Sequence, residues 1–141
     1  MKMVDKQKIL VLGSTGMLGH QVVNYLTTFA SLDVFDMSYR SKLRKNTIVM
    51  DVMDANVLEK EISSIKPDFI VNCIGVLIKG SKNEANAIYL NSYLPHRLKD
   101  LAEEFNSKLI HISTDCVFSG KIGQYVETDH RDGEGVYSKT K

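Results

Sequence analysis

Lys8-Ile-Leu-Val-Leu12, followed directly by Gly13-Ser-Thr-Gly16-Met-Leu-Gly19, decides the fold of this chain. The apolar run predicts a buried strand, and the glycines predict a tight turn into a helix. Glycine at these three positions lets the backbone approach a phosphate closely and lets the helix pack closely on the strand. The stretch therefore predicts a strand-turn-helix unit that binds a dinucleotide pyrophosphate at a helix N-terminus. The alternative is a glycine-rich turn without a ligand.

Short apolar runs alternate with longer segments of helical period along the rest of the chain. Predicted strands cover Lys8–Leu12, Asp33–Met37, Thr47–Asp51, Asp68–Cys73 and Lys108–Ile112, and predicted helices cover Gly16–Ala30, Ala55–Ile65 and Glu84–Phe105. This alternation is typical of parallel sheets with helical crossovers. We expect an α/β fold, a Rossmann-like doubly wound parallel sheet truncated after its fifth strand, as one NAD(P)-binding domain over residues 1–141.

Three local patterns refine this expectation. The first helix should bury one apolar face, made of Met17, Leu18, Val22, Tyr25, Leu26 and Phe29. Pro95 should kink or split the third helix, because proline lacks the N–H that an interior helical position needs. The stretch from Phe118 to Gly135 should be an irregular surface loop that leads into the last helix.

Composition excludes several classes of function. The chain has 141 residues, 43% of them hydrophobic, and no apolar run reaches the about 18 residues that a membrane span needs. Its 18 basic and 17 acidic side chains nearly cancel, so we expect neither nucleic-acid nor membrane binding. The polar start, residues 1–8, is expected to be a solvated lead-in and lacks the core of a secretion signal, which favours a cytosolic location.

Metal binding is not expected either. Cys73 and Cys116 are far apart in sequence and match no metal-ligand spacing, so we expect two buried, reduced thiols. The four histidines are also scattered, without the spacing of a ligand set, and are expected to be structural or on the surface.

The end of the second predicted strand bears on the choice of cofactor. A carboxylate here would bind the ribose hydroxyls of NAD, whereas an arginine would bind the 2′-phosphate of NADP. The chain has both, because Asp36 is followed by Ser38, Arg40 and Lys42. The basic side chains would make charge-assisted bonds to a phosphate, so NADP is favoured, with NAD left open. The alternative is a solvated basic loop formed by Arg40, Lys42, Arg44 and Lys45.

The last five residues read Tyr137-Ser-Lys-Thr-Lys141. A helix places residues four apart on one face, so the phenol and the ammonium would be neighbours. Such a pair can act as a proton donor or acceptor. The alternative is a surface helix with an incidental lysine.

Four motifs in this order resemble the extended short-chain dehydrogenase/reductase family, and more narrowly the dTDP-4-dehydrorhamnose reductases. The motifs are Gly13-Ser-Thr-Gly16-Met-Leu-Gly19, Asn72-Cys-Ile-Gly75, Ile112-Ser-Thr-Asp-Cys-Val-Phe118 and Tyr137-Ser-Lys-Thr-Lys141. The resemblance covers almost the whole chain. It implies that Tyr137 donates a proton to a substrate carbonyl as hydride arrives from the nicotinamide. It also implies that Lys141 binds the nicotinamide ribose and eases that proton transfer.

The resemblance implies further roles for single residues. Thr114 would bond the carbonyl oxygen, although a hydroxyl at a strand end can equally bond its own backbone. Asp115 would contact substrate hydroxyls, and Asn91 would be structural. Asp51 would accept a bond from the adenine amine or cap the next turn. The full set expected to bind the cofactor is Gly13, Thr15, Gly16, Met17, Gly19, Ser38, Arg40, Asp51, Val52, Cys73, Gly75, Tyr137 and Lys141.

Position 116 bears on the type of reaction. Dehydratases of this family carry an Asp-Glu pair after the threonine, whereas this chain has Asp115-Cys116, and a thiol cannot replace the carboxylate. Reduction of a nucleotide-linked 4-keto-sugar with NAD(P)H is therefore favoured. A sugar-nucleotide epimerase and a non-catalytic NADP-binding regulatory subunit, like that of methionine adenosyltransferase, remain alternatives. A homodimer is left open.

The resemblance also concerns length. Family members continue for a hundred or more residues beyond the position of Lys141, and that part binds the sugar nucleotide. We therefore expect a fragment that forms most of a nucleotide-binding half and does not turn over substrate by itself.

Overall fold

The computed structural model describes residues 6–141; residues 1–5, the start of the expected polar lead-in, lie outside this range. The chain divides into two compact units. The first, called here the sheet unit, comprises the residues up to Ile74 together with Pro95–Ile112. The second, called the Tyr137 unit, comprises Gly75–Leu94 and Ser113–Lys141.

The sheet unit contains five strands, all parallel to their neighbours. They are β1 Gln7–Leu12, β2 Leu32–Ser38, β3 Ile48–Val49, β4 Phe69–Asn72 and β5 Lys108–His111. Their order across the sheet is β3-β2-β1-β4-β5. The predicted Rossmann-like parallel sheet is confirmed, although β3 is shorter than the predicted strand Thr47–Asp51.

Helical segments follow in chain order. They are α1 Gly19–Leu26, α2 Ala55–Ile65, a 3-10 turn Gly80–Lys82, α3 Glu84–Ala87, a π-helical turn Ile88–Tyr93, α4 Leu94–Glu104, a 3-10 turn Asp115–Val117 and α5 Gly135–Thr140. The predicted helix Glu84–Phe105 is thus divided into three pieces. Pro95 is the second residue of α4 and follows directly on the π-helical turn.

The centre of the sheet is buried on both faces. Val11 pairs in register with Val71, and both pack with Ile9 and with Val23 of α1 in one hydrophobic cluster. Successive strand residues point to opposite faces, so Leu10 and its register partner Ile70 lie on the other face, and both are fully buried. Burial on both sides is what a parallel sheet flanked by helices requires.

The predicted inner face of the first helix was wrong at four positions. The helix begins at Gly19, so Met17 and Leu18 precede it and are exposed. Tyr25 and Phe29 are also exposed and pack against each other edge-on, with ring centroids 5.1 Å apart. The buried positions of α1 are Gly19 and Val23, flanked by the partly buried Val22 and Leu26.

The two ends of α2 are set by residues next to the helix in sequence. Asp54 caps the N-terminus, where its side chain accepts a hydrogen bond from Val57 N at 3.2 Å. Lys66 ends the helix in the left-handed conformation, with φ +50°, and Pro67 follows. The predicted bounds Ala55–Ile65 are confirmed.

Candidate functional site

The glycine turn after β1 is held against the end of β2. The backbone N–H groups of Gly13 and Ser14 both donate to the carbonyl oxygen of Met37, at 2.9 and 3.0 Å. Gly16 N then donates to Gly13 O at 3.0 Å, which closes the turn ahead of α1. Thr15, Gly16 and Met17 are exposed at this turn, and Met17 is 85% exposed. The predicted strand-turn-helix unit is therefore present, with its loop open to solvent.

Gly19, the first residue of α1, is fixed by close packing. A Cβ added at Gly19 would lie 2.1 Å from the carbonyl oxygen of Gly13 and 2.8 Å from its carbonyl carbon, so only glycine fits here. The buried hydroxyl of Ser14 has no hydrogen-bond partner among residues 6–141. A narrow backbone cradle with an unpartnered hydroxyl fits a bound phosphate, because phosphate binds at helix N-termini through such groups.

Near the end of β2, Asp36 and Arg40 have different surroundings, although they are close in sequence. Asp36 is buried, and its Oδ1 lies 2.5 Å from Nε of Arg44. Arg40 is exposed and lies over the ring of Tyr39, 5.0 Å from its centroid. The hydroxyl of Ser38 donates to Ser41 O at 2.5 Å and so closes the turn between them. The basic residues therefore do not form a uniformly solvated loop, since Arg44 is turned inward.

Asp51 and Val52 follow the short strand β3. Asp51 is exposed, and its Oδ1 accepts a bond from Met53 N at 2.9 Å. Of the two roles expected for Asp51, the turn-capping one is thus observed. Val52 is buried. The expected adenine contact stays a prediction.

The cysteines differ from each other in exposure. Cys73, after β4, is half-buried, and burial raises the pKa of its thiol. Cys116 is exposed, because it lies in the 3-10 turn after Thr114 rather than in an apolar strand. The expectation of two buried thiols was therefore wrong at Cys116. Both thiols are free.

Asn72 ties β4 to β5 within the sheet unit. It is fully buried, and its Oδ1 accepts a bond from Ile74 N at 3.0 Å, which turns the chain after β4. Its amide nitrogen lies 3.1 Å from Nδ1 of His111 on the neighbouring strand. The role of His111 was not foreseen, and its register position opposite Asn72 is the signal that shows it.

The Tyr137 unit brings three of the expected residues into one short turn and helix. Thr114 Oγ1 accepts a bond from Cys116 N at 3.2 Å and lies 3.3 Å from Oδ1 of Asp115. The hydroxyl thus makes the backbone bond that was the alternative to a substrate contact. Asp115 is exposed. Tyr137 is half-buried on α5.

Lys141 lies beside Gly75. Its Nζ is 3.5 Å from the point that a Cβ on Gly75 would occupy, and Oδ1 of Asn91 is 3.7 Å from the same point. Its backbone N donates to Tyr137 O at 3.2 Å, which places the two residues on one helical turn. Burial lowers the pKa of the Lys141 ammonium.

Asn91 holds the neighbourhood of Lys141 together, as a structural asparagine would. Its side chain accepts a bond from Val76 N at 2.7 Å and donates to Val76 O at 3.0 Å and to Thr140 Oγ1 at 3.2 Å. The hydroxyl of Ser92 donates to Thr140 O at 2.5 Å. Ser92 and Thr140 were missed by sequence reasoning, because neither belongs to the spacing of the tyrosine-lysine motif.

Gly133 was also missed. Its N–H donates to Val117 O at 2.9 Å, and an added Cβ would lie 2.5 Å from Cys116 O and 2.8 Å from Cβ of Ser138. The turn after Thr114 therefore packs closely on the start of the helix that carries Tyr137. A single glycine in a loop rich in polar residues gave no sequence signal for this contact.

Residues 6–141 contain no group of three or more histidine, cysteine or acidic side chains placed to bind a metal ion. Over the same residues, none of the helices is long and apolar enough to cross a membrane.

Several curated proteins are similar in sequence to this chain over almost its whole length. The dTDP-4-dehydrorhamnose reductase of Mycobacterium tuberculosis H37Rv is 30% identical over 142 residues, which cover 96% of this chain and 43% of that protein. The enzyme of the same name from Aggregatibacter actinomycetemcomitans is 28% identical, covering 95% and 44%. Methionine adenosyltransferase 2 subunit beta of Danio rerio is 29% identical, covering 96% and 41%. The chain thus spans less than half the length of these relatives.

Solved structures share the fold. A hypothetical dTDP-4-dehydrorhamnose reductase from Sulfolobus tokodaii is 26% identical, with a TM-score of 0.83 over 95% of this chain and 49% of that one. The dTDP-4-dehydrorhamnose reductase of Bacillus anthracis, solved in complex with NADP, has a TM-score of 0.83 at 21% identity, over 99% of this chain and 48% of that one. At that identity, the second likeness shows the fold alone.

The family comparison covers nearly the whole described chain. The model of the RmlD substrate binding domain matches residues 7–141, a range that includes the glycine turn, Thr114 and the tyrosine-lysine pair. The resemblance to the dTDP-4-dehydrorhamnose reductases that the four motifs predicted is confirmed. The chain belongs to the RmlD substrate binding domain family.

Proposed function

We propose that the protein is an NADPH-dependent reductase of a nucleotide-linked 4-keto-sugar, similar to dTDP-4-dehydrorhamnose reductase. The single observation that carries this proposal is the pair Tyr137 on α5 and Lys141 at its C-terminal cap, joined by a backbone hydrogen bond, with the Lys141 ammonium beside Gly75. Relatives named dTDP-4-dehydrorhamnose reductase support the reaction class. Because this chain spans less than half of their length, the activity and the sugar substrate are part of the proposal.

The glycine turn is proposed to bind the cofactor. Three features of this turn fit a pyrophosphate. Its loop is open to solvent, Gly19 has no side chain to block the approach to the backbone, and the buried hydroxyl of Ser14 has no hydrogen-bond partner among residues 6–141. The exposed Arg40 is proposed to bind the 2′-phosphate of NADP, which carries about −1.5 to −2 charges. The Bacillus anthracis relative was solved with NADP, and a Bordetella bronchiseptica relative, WbmG, with NAD and UDP. The remaining proposed contacts are Thr15, Gly16, Met17, Ser38, Asp51, Val52, Cys73 and Gly75.

The residues proposed to be catalytic belong to the Tyr137 unit. A bound dinucleotide would supply the hydride. Tyr137 is proposed to give its phenolic proton to the carbonyl oxygen of the sugar, and Lys141, whose ammonium is partly desolvated, to favour the loss of that proton. Thr114 is proposed to donate to the same carbonyl oxygen, and Asp115, which is exposed, to accept a bond from a sugar hydroxyl.

Tyr137→Phe tests this assignment. In a protein that contains this chain and has the full length of the relatives, reduction of a dTDP-4-keto-sugar, followed as loss of NADPH absorbance, should fall at least about 100-fold because the proton donor is gone. The affinity for NADPH, measured by calorimetry, should stay within about two-fold. Unchanged turnover in Tyr137→Phe would contradict the proposed mechanism. We further propose that the 141-residue chain by itself binds NADPH without turning over substrate, and steady-state reduction by it would refute that statement.

A second candidate function is a non-catalytic NADP-binding regulatory subunit. The observation in its favour is the 29% identity to methionine adenosyltransferase 2 subunit beta of Danio rerio. A regulatory subunit has no need of a proton donor. If Tyr137→Phe and Lys141→Met leave every measured activity of the protein unchanged while NADPH still binds, the regulatory function is the better account.

A further inference from the structure

Asp36 and Arg44 form an ion pair beside the glycine turn. Asp36 precedes Met37, whose carbonyl accepts the N–H groups of Gly13 and Ser14. The side chain of Asp36 is fully buried, and its Oδ1 lies 2.5 Å from Nε of Arg44. The second oxygen, Oδ2, has no partner among residues 6–141. The Asp36 carboxylate, two residues before the end of β2, is therefore buried and paired with a cation.

The loop between β2 and β3 is folded so that it presents Arg44 to Asp36. The buried hydroxyl of Thr47 accepts the backbone N–H groups of Leu43 and Arg44, at 3.1 and 2.9 Å. Thr47 N donates back to Arg44 O at 3.1 Å, and the guanidinium also donates to Val34 O. Four hydrogen bonds thus fix Arg44, so its place is not that of a solvated surface side chain.

Arg40, on the same loop, has the opposite environment. It is exposed and stacks on Tyr39, without an ion pair to any described carboxylate. Because the charges of Asp36 and Arg44 cancel, the net positive charge of this loop comes from the exposed Arg40, Lys42 and Lys45. An uncompensated Asp36 would instead repel a phosphate group.

We propose that Arg44 sets the choice of cofactor through Asp36. It neutralises the carboxylate, which removes its repulsion of a 2′-phosphate, and the chain then prefers NADPH to NADH. Arg44 is a positioning residue in this account, since it acts through Asp36 and not by contact with the cofactor. The inference rests on the proposed binding of a dinucleotide at the glycine turn.

Calorimetric titrations of NADPH and NADH into the 141-residue chain test the proposal. In Arg44→Gln, the ratio of the Kd for NADH to the Kd for NADPH should fall about five-fold or more, because the buried carboxylate is no longer neutralised. In Asp36→Asn, the same ratio should rise, because Arg44 then adds a net positive charge. The double variant Asp36→Asn/Arg44→Gln should return the ratio to within about two-fold of the wild type.

Opposite changes of the Kd ratio in the two single variants would distinguish this role from a structural one, because loss of structure would weaken the binding of both cofactors alike. Lys45→Gln removes an exposed charge from the same loop and should change the ratio by less than about two-fold, since solvent screens it. Circular dichroism checks the fold. If Arg44→Gln does not fold, Asp36→Asn and the double variant decide.

These titrations distinguish failure of the proposed function from failure of the proposed role of Arg44. If the wild type binds neither cofactor, the proposed function fails. If the wild type binds NADPH while the ratio of Kd values stays the same in Arg44→Gln and in Asp36→Asn, only the role of Arg44 is overturned.

Discussion

At the scale of single residues, contacts across the chain decide what a motif residue can do. The sequence left Asp36 and Arg40 as competing signals for NAD and NADP. The structure buries Asp36 against Arg44 and leaves Arg40 exposed. This separation depends on how the loop folds around Thr47, which no local pattern encodes. The glycines of the turn could be predicted, because their spacing is itself the signal.

Gly19→Ala should destabilise the chain by about 1 to 3 kcal/mol or more. The added methyl group would lie 2.1 Å from Gly13 O, so the turn or α1 has to move. We expect NADPH binding to be lost as well, because the same turn is proposed to bind the pyrophosphate. Urea unfolding and calorimetry measure the two effects.

Gly123→Ala is the matched control for this substitution. An added Cβ at Gly123 meets no atom within 4 Å, although its φ of +73° disfavours alanine by about 1 kcal/mol. NADPH affinity should not change. If Gly19→Ala costs no more than Gly123→Ala, the close packing of α1 on the turn is not a constraint on this fold.

At the scale of elements, helices with explicit end signals could be predicted and the others could not. For α2, Asp54 and Pro67 mark both ends, and the predicted bounds agree with the structure. For α1, the apolar period continues through residues outside the helix, so the predicted helix was too long. Its N-cap residue Leu18 makes no side-chain hydrogen bond to the helix, so the sequence carries no signal for where α1 begins.

Lys66→Gly should stabilise the chain by about 0.5 to 1 kcal/mol. Lys66 ends α2 at φ +50°, a conformation that glycine adopts without a steric penalty. The matched control is Lys60→Gly, an exposed position inside α2, which should destabilise by about 1 kcal/mol. Urea unfolding of both variants measures the change in the free energy of unfolding. Changes of the same sign in the two variants would contradict the assignment of Lys66 as the helix end.

The loop between Phe118 and Gly135 is organised around Asp132. Its carboxylate accepts bonds from Ser119 N at 2.8 Å, Ser119 Oγ at 2.6 Å and Tyr125 Oη at 3.1 Å. The ring of Tyr125 stacks on Phe118 at 4.6 Å. The sequence predicted an irregular surface loop, which is confirmed, but the composition could not show that one carboxylate ties it together.

The hydrogen bonds from Ser119 lower the pKa of Asp132 from 3.8 to about 2. A carboxyl whose pKa is lower in the folded state stabilises it above the unfolded pKa and loses this contribution as the pH falls towards 2. The difference in unfolding free energy between the wild type and Asp132→Asn should therefore be constant above about pH 5 and shrink between pH 4 and 2. A difference that does not vary with pH in this window would contradict the network.

At the scale of the whole molecule, the order of strands and helices along the chain could be predicted from the alternation of apolar runs. The alternation predicted a parallel sheet, which the structure has, with the strand order β3-β2-β1-β4-β5. The division into a sheet unit and a Tyr137 unit could not be foreseen, because the second unit is assembled from two segments far apart in sequence. Contacts such as those of Asn91 with Thr140 form only when these segments meet.

The central claim is that the glycine turn of the sheet unit binds a dinucleotide phosphate. The most direct test is a fluorescence titration of NADPH with the 141-residue chain, which contains no tryptophan to interfere. The account predicts saturable binding of one NADPH per chain, tighter than that of NADH and competed by 2′-phosphorylated adenosine diphosphate. Absence of NADPH binding to a chain that circular dichroism shows to be folded would contradict it.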